Sequence, residues 1–185
     1  ASGLSMPVGF KNCTDGGLDT AINAIIASGA PQNFLGIDSH GQTCIVQTSG
    51  NPYAHLVLRG GTRPNYDSVS VMEALELLRK KKLPEAIMID CSHGNSRKNH
   101  RFQSVVWQDA VNQRMDGNTA IVGLMLESNL CEGNQENTCD LSSMKYGVSI
   151  TDACISWEAT EKLILSAHEH LSEPSVPAGG EPMFR

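Results

Sequence analysis

Short apolar runs alternate along this chain with stretches whose apolar residues recur every three or four positions. The runs occupy residues 7–10, 55–58, 86–90 and 121–126. Their length and continuity predict strands. Between them, residues 18–27 predict a short helix stopped by Gly29 and Pro31. Residues 68–81 predict a second helix, with Met72, Leu75 and Leu78 at helical spacing, a basic last turn that suits the helix dipole, and Pro84 as the stop. A third is predicted over 99–115 through Phe102, Val106 and Val111, with Gly117-Asn118 as the turn that follows. The last, 157–171, turns Leu163, Ile164 and Ala167 inward. Two further short runs, 34–37 and 44–46, flank Gly41 and predict a hairpin. Residues 132–145 read as a polar loop, and 172–185, rich in Pro and Gly, as a flexible tail. Repeated strand–helix alternation predicts an α/β fold with a parallel sheet and right-handed crossovers, built as one domain over residues 1–171.

The strands end on residues that do chemistry. The first runs into Lys11, the second into Arg59, the fourth into Glu127, and the third is followed closely by His93. In a parallel sheet these ends lie together on one face, so the side chains converge as an active-site rim.

Composition narrows the classes of partner. With 185 residues, 40% apolar and 18% charged, the chain has the make-up of a globular domain with a sizeable core. A net charge of -6 argues against general affinity for nucleic acid but leaves room for a small anion held by a local pair of cations. No apolar run approaches the ~20 residues that span a bilayer, so no membrane partner is expected. The start, Ala1-Ser2-Gly3-Leu4-Ser5, has no basic region, apolar stretch or initial Met. It therefore predicts no signal peptide and a cytoplasmic location, on a chain that is processed, truncated or has lost its Met. Export by an unconventional route would leave no mark there. The six cysteines, at 13, 44, 91, 131, 139 and 154, show neither CxxC nor a disulfide spacing, and predict reduced thiols. Cys139, in the polar loop, is the candidate for intermolecular pairing.

Each candidate residue also has a structural reading. Lys11 precedes a Gly/Asp-rich turn and could be a surface lysine beside a helix cap at Thr14 or Asp15. In Arg59-Gly60-Gly61 the guanidinium suits a phosphate or carboxylate and the glycines let backbone approach a ligand, though a simple turn has the same composition. Asp90-Cys91-Ser92-His93-Gly94-Asn95-Ser96 crowds polar groups at the end of an apolar strand, where burial penalises them unless they bind something; the alternative is a satisfied structural histidine. Glu127 follows an apolar strand in the same way, and Asp152 could cap the last helix. His93, Glu127 and Asp152 together suit a divalent metal such as Mn, Fe, Co or Zn. Cys91 and Cys131 lie near these strand ends; either could ligate a metal, and packing is the preferred reading.

Several of these segments resemble one family in order along the chain. They are Pro7-Val8-Gly9-Phe10-Lys11-Asn12, Leu58-Arg59-Gly60-Gly61 with Pro64-Asn65-Tyr66, and Asp90 through Ser96. Glu127-Ser128-Asn129-Leu130 with Glu132-Gly133-Asn134-Gln135, and Tyr146-Gly147 with Ser149-Ile150-Thr151-Asp152-Ala153-Cys154, complete the set. Together they resemble type I 3-deoxy-D-arabino-heptulosonate 7-phosphate (DAHP) synthases, in a flavour closest to fungal members. The resemblance implies a (β/α)8 TIM barrel and a transferase that condenses phosphoenolpyruvate with erythrose 4-phosphate, the first step of the shikimate pathway to aromatic amino acids. It implies that Lys11, Arg59 and His93 meet phosphoenolpyruvate, with Lys11 and His93 as catalytic residues. It further implies that His93, Glu127 and Asp152 bind the divalent metal.

The resemblance covers only the C-terminal half of the family, about the last four βα units. A truncated barrel of that kind lacks the family's cysteine metal ligand, several Arg and Lys residues of the phosphoenolpyruvate pocket, and the N-terminal control segment. Cys13 stands where the family has Gly, which strains the turn if its φ is positive. Ser39 stands where the family usually has Lys, and residues 97–115 and 136–144 match poorly. Half a barrel has two open edges and an uncovered inner face, which predicts a homodimer that completes or covers it. The expected function is a DAHP synthase-like protein with activity lost or much reduced. The alternative is an active synthase whose site is completed by a dimer or a partner chain.

Overall fold

The computed structural model describes residues 1–138 and 140–172. Cys139, and the predicted tail from residue 173 onward, lie outside the described residues. Four parallel strands form the main sheet in the order β1 (Val8–Lys11), β4 (Ala54–Leu58), β5 (Ile87–Asp90), β6 (Ile121–Met125). The crossover from β1 to β4 contains helix α1 (Asp19–Gly29) and an antiparallel hairpin of β2 (Asn33–Ile37) and β3 (Thr43–Gln47). Helix α2 (Ser68–Lys80) links β4 to β5, and α3 (Gln103–Met115) links β5 to β6. Beyond β6 come two short paired strands, β7 (Ser128–Asn129) and β8 (Ile155–Ser156), and then α4 (Trp157–Ser172).

The elements form where the sequence supplies their ends. Asp67 caps α2 by accepting hydrogen bonds from the N–H groups of Val69 and Ser70, each at 3.1 Å, and Arg79 and Lys80 sit at the negative end of its dipole. The hairpin turns at Asp38, whose Oδ1 accepts from the N–H groups of His40 and Gln42, both at 2.9 Å. Ser39 occupies the tip of that turn, away from the main sheet. Cys13 does not adopt positive φ, so the substitution of a cysteine there carries no left-handed strain.

The core lies on one side of the sheet. Leu56, Leu58, Ile87, Ile89 and Ile121 face Ile22 and Ile25 of α1, Val71, Ala74, Leu75 and Leu78 of α2, and Val106 and Ala110 of α3. Met72, Phe102 and Ile164 are about half exposed, at 53%, 47% and 46%. The buried stripe of α2 runs through Val71, Ala74, Leu75 and Leu78, and in α4 Thr160 and Ala167 are buried and Leu163 half-buried.

The opposite, inner face is less open than half a barrel predicts. Its edge strands carry Gly9 and Gly123, and its middle strands carry His55, Val57 and Met88. A Cβ on Gly9 would sit 2.7 Å from Val57 and 2.9 Å from His55, and one on Gly123 would sit 2.9 Å from Met88. The larger side chains therefore lean over the glycines. Val57 is buried and His55 and Met88 half-buried. The most exposed apolar strand residues belong to the hairpin, where Leu35, Ile37 and Ile45 are 77%, 76% and 70% exposed. Among the described residues, both edges of the main sheet, β1 and β6, are unpaired on their outer sides.

Candidate active site

Three loops at the carboxyl ends of β1, β4 and β5 pack backbone against backbone. Gly60 has φ +71, and a Cβ there would lie 2.5 Å from the backbone of Gly94 and Asn95. Three asparagines stitch these loops together. Asn12 donates to Gly60 O at 2.9 Å and accepts from Arg59 N at 2.8 Å, and Asn65 accepts from Gly60 N at 2.7 Å. Asn95 donates to Leu58 O at 3.1 Å and Asp90 O at 2.8 Å, and accepts from Asn65 N at 2.8 Å. This seam fixes where Arg59 and His93 leave their strands.

Asp90 is the fully buried hub of the site. Its Oδ2 lies 2.7 Å from Lys11 Nζ and 2.8 Å from His93 Nδ1. Its Oδ1 accepts from Ser92 N at 2.9 Å and from Ser92 Oγ at 2.7 Å. Burial pushes the Asp90 carboxyl up, but Lys11, the two Ser92 bonds and His93 together hold it below the ordinary aspartate value. The bridge is therefore fully present above about pH 4, the unfolded aspartate range, and is lost as pH falls through the lower folded value. Replacing Asp90 by Asn should lower stability by about 1–3 kcal/mol in urea titrations, because Lys11 loses its counter-charge. The Asn amide would also donate to Nδ1 and move the histidine proton to Nε2, a change that nitrogen NMR reads directly.

A carboxylate on Nδ1 turns the Nε2 lone pair outward. There Nε2 lies 3.4 Å from Glu127 Oε1 and 3.7 Å from Asp152 Oδ2. One ligand atom from each of His93, Glu127 and Asp152 lies within 4.8 Å of the others. Glu127 itself is clamped by Gln103, a buried amide at the start of α3. Gln103 Nε2 donates to Glu127 O at 3.1 Å, and its Oε1 accepts from Glu127 N at 2.8 Å. Burial raises the Glu127 carboxyl, His93 opposes this, and the negative charges of Asp152 and Asp90 raise it further. An outward lone pair facing two crowded carboxylates is a donor set that fits a divalent cation.

These groups line a cavity of about 110 Å³ together with Arg59, Ser96, Lys98 and Ala153. A larger, more open cleft of about 660 Å³ lies against the cap of α2, where Asp15, Asp67 and Glu73 face Arg63 and Arg97. It contains none of the residues expected to act, so the smaller cavity is the better site. Of those residues, the structure brings Arg59, His93, Glu127 and Asp152 together in the cavity. Lys11 pairs with Asp90 beside them, about one third exposed, and its charge also acts on Glu127. Cys91 is buried beneath, its thiol pushed up to about 12 by burial and then by Asp90, as suits packing. Cys131 is exposed. Asp90, Gln103 and the asparagines had no assigned role in the sequence. For Asp90, Asn12 and Asn95 the only signal was a polar side chain close to an apolar strand end; Gln103, at the start of α3, gave none.

Fold and site together define a partial (β/α) barrel with a candidate cation site at the carboxyl ends of its strands. Residues 1–165 match the family model described as the DAHP synthetase I family, and the chain belongs to that family. It is 53% identical over 172 residues to the Tyr-sensitive phospho-2-dehydro-3-deoxyheptonate aldolase of Salmonella typhimurium, covering 93% of this chain and 48% of that protein. With the Tyr-sensitive enzyme of Enterobacter agglomerans it shares 54% over 171 residues, covering 92% of this chain and 80% of that sequence. The structure of the Francisella tularensis aldolase superposes with a TM-score of 0.84 at 39% identity, over 91% of this chain and 49% of that one. The chain thus spans about half the length of most of these relatives. Among the described residues, no helix is long and apolar enough to cross a membrane.

Proposed function

We propose that this chain carries the half of a DAHP synthase site that holds a divalent cation and phosphoenolpyruvate. By itself it condenses phosphoenolpyruvate with erythrose 4-phosphate far more slowly than full-length relatives, or not at all. The observation that carries this reading is the convergence of His93, Glu127 and Asp152 beside Arg59 in one small cavity. Those three residues would hold the ion, whether Mn, Fe, Co or Zn, and when bound it supplies Lewis-acid polarisation of an aldehyde oxygen. Arg59 offers a planar fork for a carboxylate or phosphate. Lys11 holds the negative charge of Asp90 in place, and Asp90 holds His93 in the tautomer that presents Nε2. By the family resemblance, Lys11 and His93 are the groups assigned to meet a bound phosphoenolpyruvate with Arg59 and to act in catalysis. We further infer that residues 1–171 form one folding unit and that it works in the cytoplasm.

The low activity follows from electrostatics. Removing a single preorganised donor from a transition-state site costs about 10²–10³ in rate, and the family's pocket draws several donors from outside the matching half. A second reading, an active assembly completed by another copy or a partner chain, is supported by the two unpaired parallel edges, β1 and β6. An axis parallel to the strands would let β6 of one copy pair with β1 of the next in the same parallel sense. One experiment separates the readings: a Mn-containing assay with both substrates, on protein whose oligomeric state is measured by light scattering. The expected result is turnover at least about 10³-fold below full-length relatives. Turnover matching those relatives would overturn the first reading, and if it came only from a dimer it would establish the second.

A further inference from the structure

We propose that Glu132 is a positioning residue of the candidate cation site, tying down the loop that presents Asp152. This role rests on the reading of His93, Glu127 and Asp152 as cation ligands and deepens it. The three are not equally held. His93 is fixed by Asp90, and Glu127 by Gln103. The Asp152 carboxylate approaches His93 only to 3.7 Å, its side chain is 66% exposed, and it has no hydrogen-bond partner among the described residues. Its place is therefore set by the main chain that carries it.

That main chain is laced to the loop after β7. Gly133 N–H donates to Cys154 O at 2.8 Å, and Cys154 N–H donates back to Gly133 O at 3.1 Å. Asn134 Nδ2 donates to Thr151 O at 3.0 Å. Residues on both sides of Asp152 thus move with residues 133 and 134. Glu132, the residue before them, reaches back to the body of the fold. Its Oε2 lies 3.5 Å from His100 Nε2, and its Oε1 lies 3.5 Å from the Arg101 guanidinium. His100 and Arg101 occupy the short turn just before Gln103, so one segment grips both Glu127 and Glu132. His100 Nε2 is buried and has no hydrogen-bond partner among the described residues, and it faces the Glu132 carboxylate. Charge attraction across that gap closes the loop at a second point, five residues beyond the clamp on Glu127.

An exposed ion pair can be idle, and a nearby carboxylate can attract a cation through its field alone. A double-mutant cycle separates both from positioning. Mn is titrated calorimetrically into wild type, Glu132→Ala, Asp152→Asn and the double variant. Melting temperature and amide exchange at Cys154 are measured on the same proteins without metal. In Glu132→Ala the expected result is Mn affinity about fivefold lower, faster exchange at Cys154 and a melting temperature near wild type. In the Asp152→Asn background, Glu132→Ala should cost nothing further, because the ligand it positions is already gone. Unchanged Mn affinity or unchanged Cys154 exchange in Glu132→Ala would overturn the proposal. So would a loss of Mn affinity that persists in the Asp152→Asn background, since it would mark Glu132 as a remote charge. A wild type that binds no Mn would sink the cation-site reading itself, and this one with it.

Discussion

His93→Ala is expected to abolish metal binding at the candidate cation site. Wild-type protein equilibrated with Mn and dialysed should retain metal near one equivalent, and the variant almost none. The imidazole supplies the only nitrogen donor of the cluster, and Nε2 lies within 3.4 Å of Glu127 and 3.7 Å of Asp152. Loss of a merely supporting group commonly costs 10–100-fold in metal affinity, so loss of a direct ligand should cost about 100-fold or more. The two remaining carboxylates crowd one another, which burial and the charge of Asp152 already register in the raised Glu127 carboxyl. Without the imidazole they face solvent and each other, and two oxygens alone select poorly among Mn, Fe, Co and Zn. Elemental analysis of both proteins decides the matter, and equal metal content would remove His93 from the ligand set.

Gly60→Ala is expected to be the most damaging small substitution at the rim. Its φ of +71 is unfavourable for any residue with a Cβ, by about 1–2 kcal/mol. The new atom would also meet the backbone of Gly94 and Asn95 at 2.5 Å, where no side chain can swing aside. Overpacking of that kind adds about 1–3 kcal/mol, for a total near 3 kcal/mol. In a domain of this size the melting temperature should fall by about 10 °C. Because the same contact joins the loops after β4 and β5, the survivor should also show displaced Arg59 and weaker anion binding. A variant as stable as wild type would mean that the three loops move apart more easily than their hydrogen bonds imply.

Much of this architecture was readable in the chain, for identifiable reasons. The strands write themselves as continuous apolar runs, and the helices between them carry clear stops at Pro31, Pro84 and Gly117. The polar residues at four strand ends stood out because an apolar run has no other use for them. Four βα units also made the family resemblance ordered and specific. What remained hidden depends on side-chain partners far away in sequence. Asp90 reads as the polar end of a strand, yet it joins Lys11 to His93. Gln103 reads as an ordinary helix residue, yet its amide clamps the main chain of Glu127. Asn12, Asn65 and Asn95 read as turn formers and serve as cross-loop stitches. The inner face was expected to lie bare. No local pattern reveals that His55 and Met88 fill the space left by Gly9 and Gly123, since each pair meets only across strands.

The insertion between the first two strands of the sheet has a consequence for how the site comes into being. β4, β5 and β6 follow one another through single helical crossovers, whereas β1 reaches β4 only across α1 and the whole β2–β3 hairpin. Shorter loops close at lower entropic cost, so the β4–β5–β6 unit should zip together first and β1 should dock late. Lys11 then meets Asp90, 79 residues away, in one of the last long-range contacts to form. Until that moment Asp90 lacks its ammonium partner. Any binding at this rim that depends on the Lys11–Asp90 pair would therefore appear only once β1 has docked.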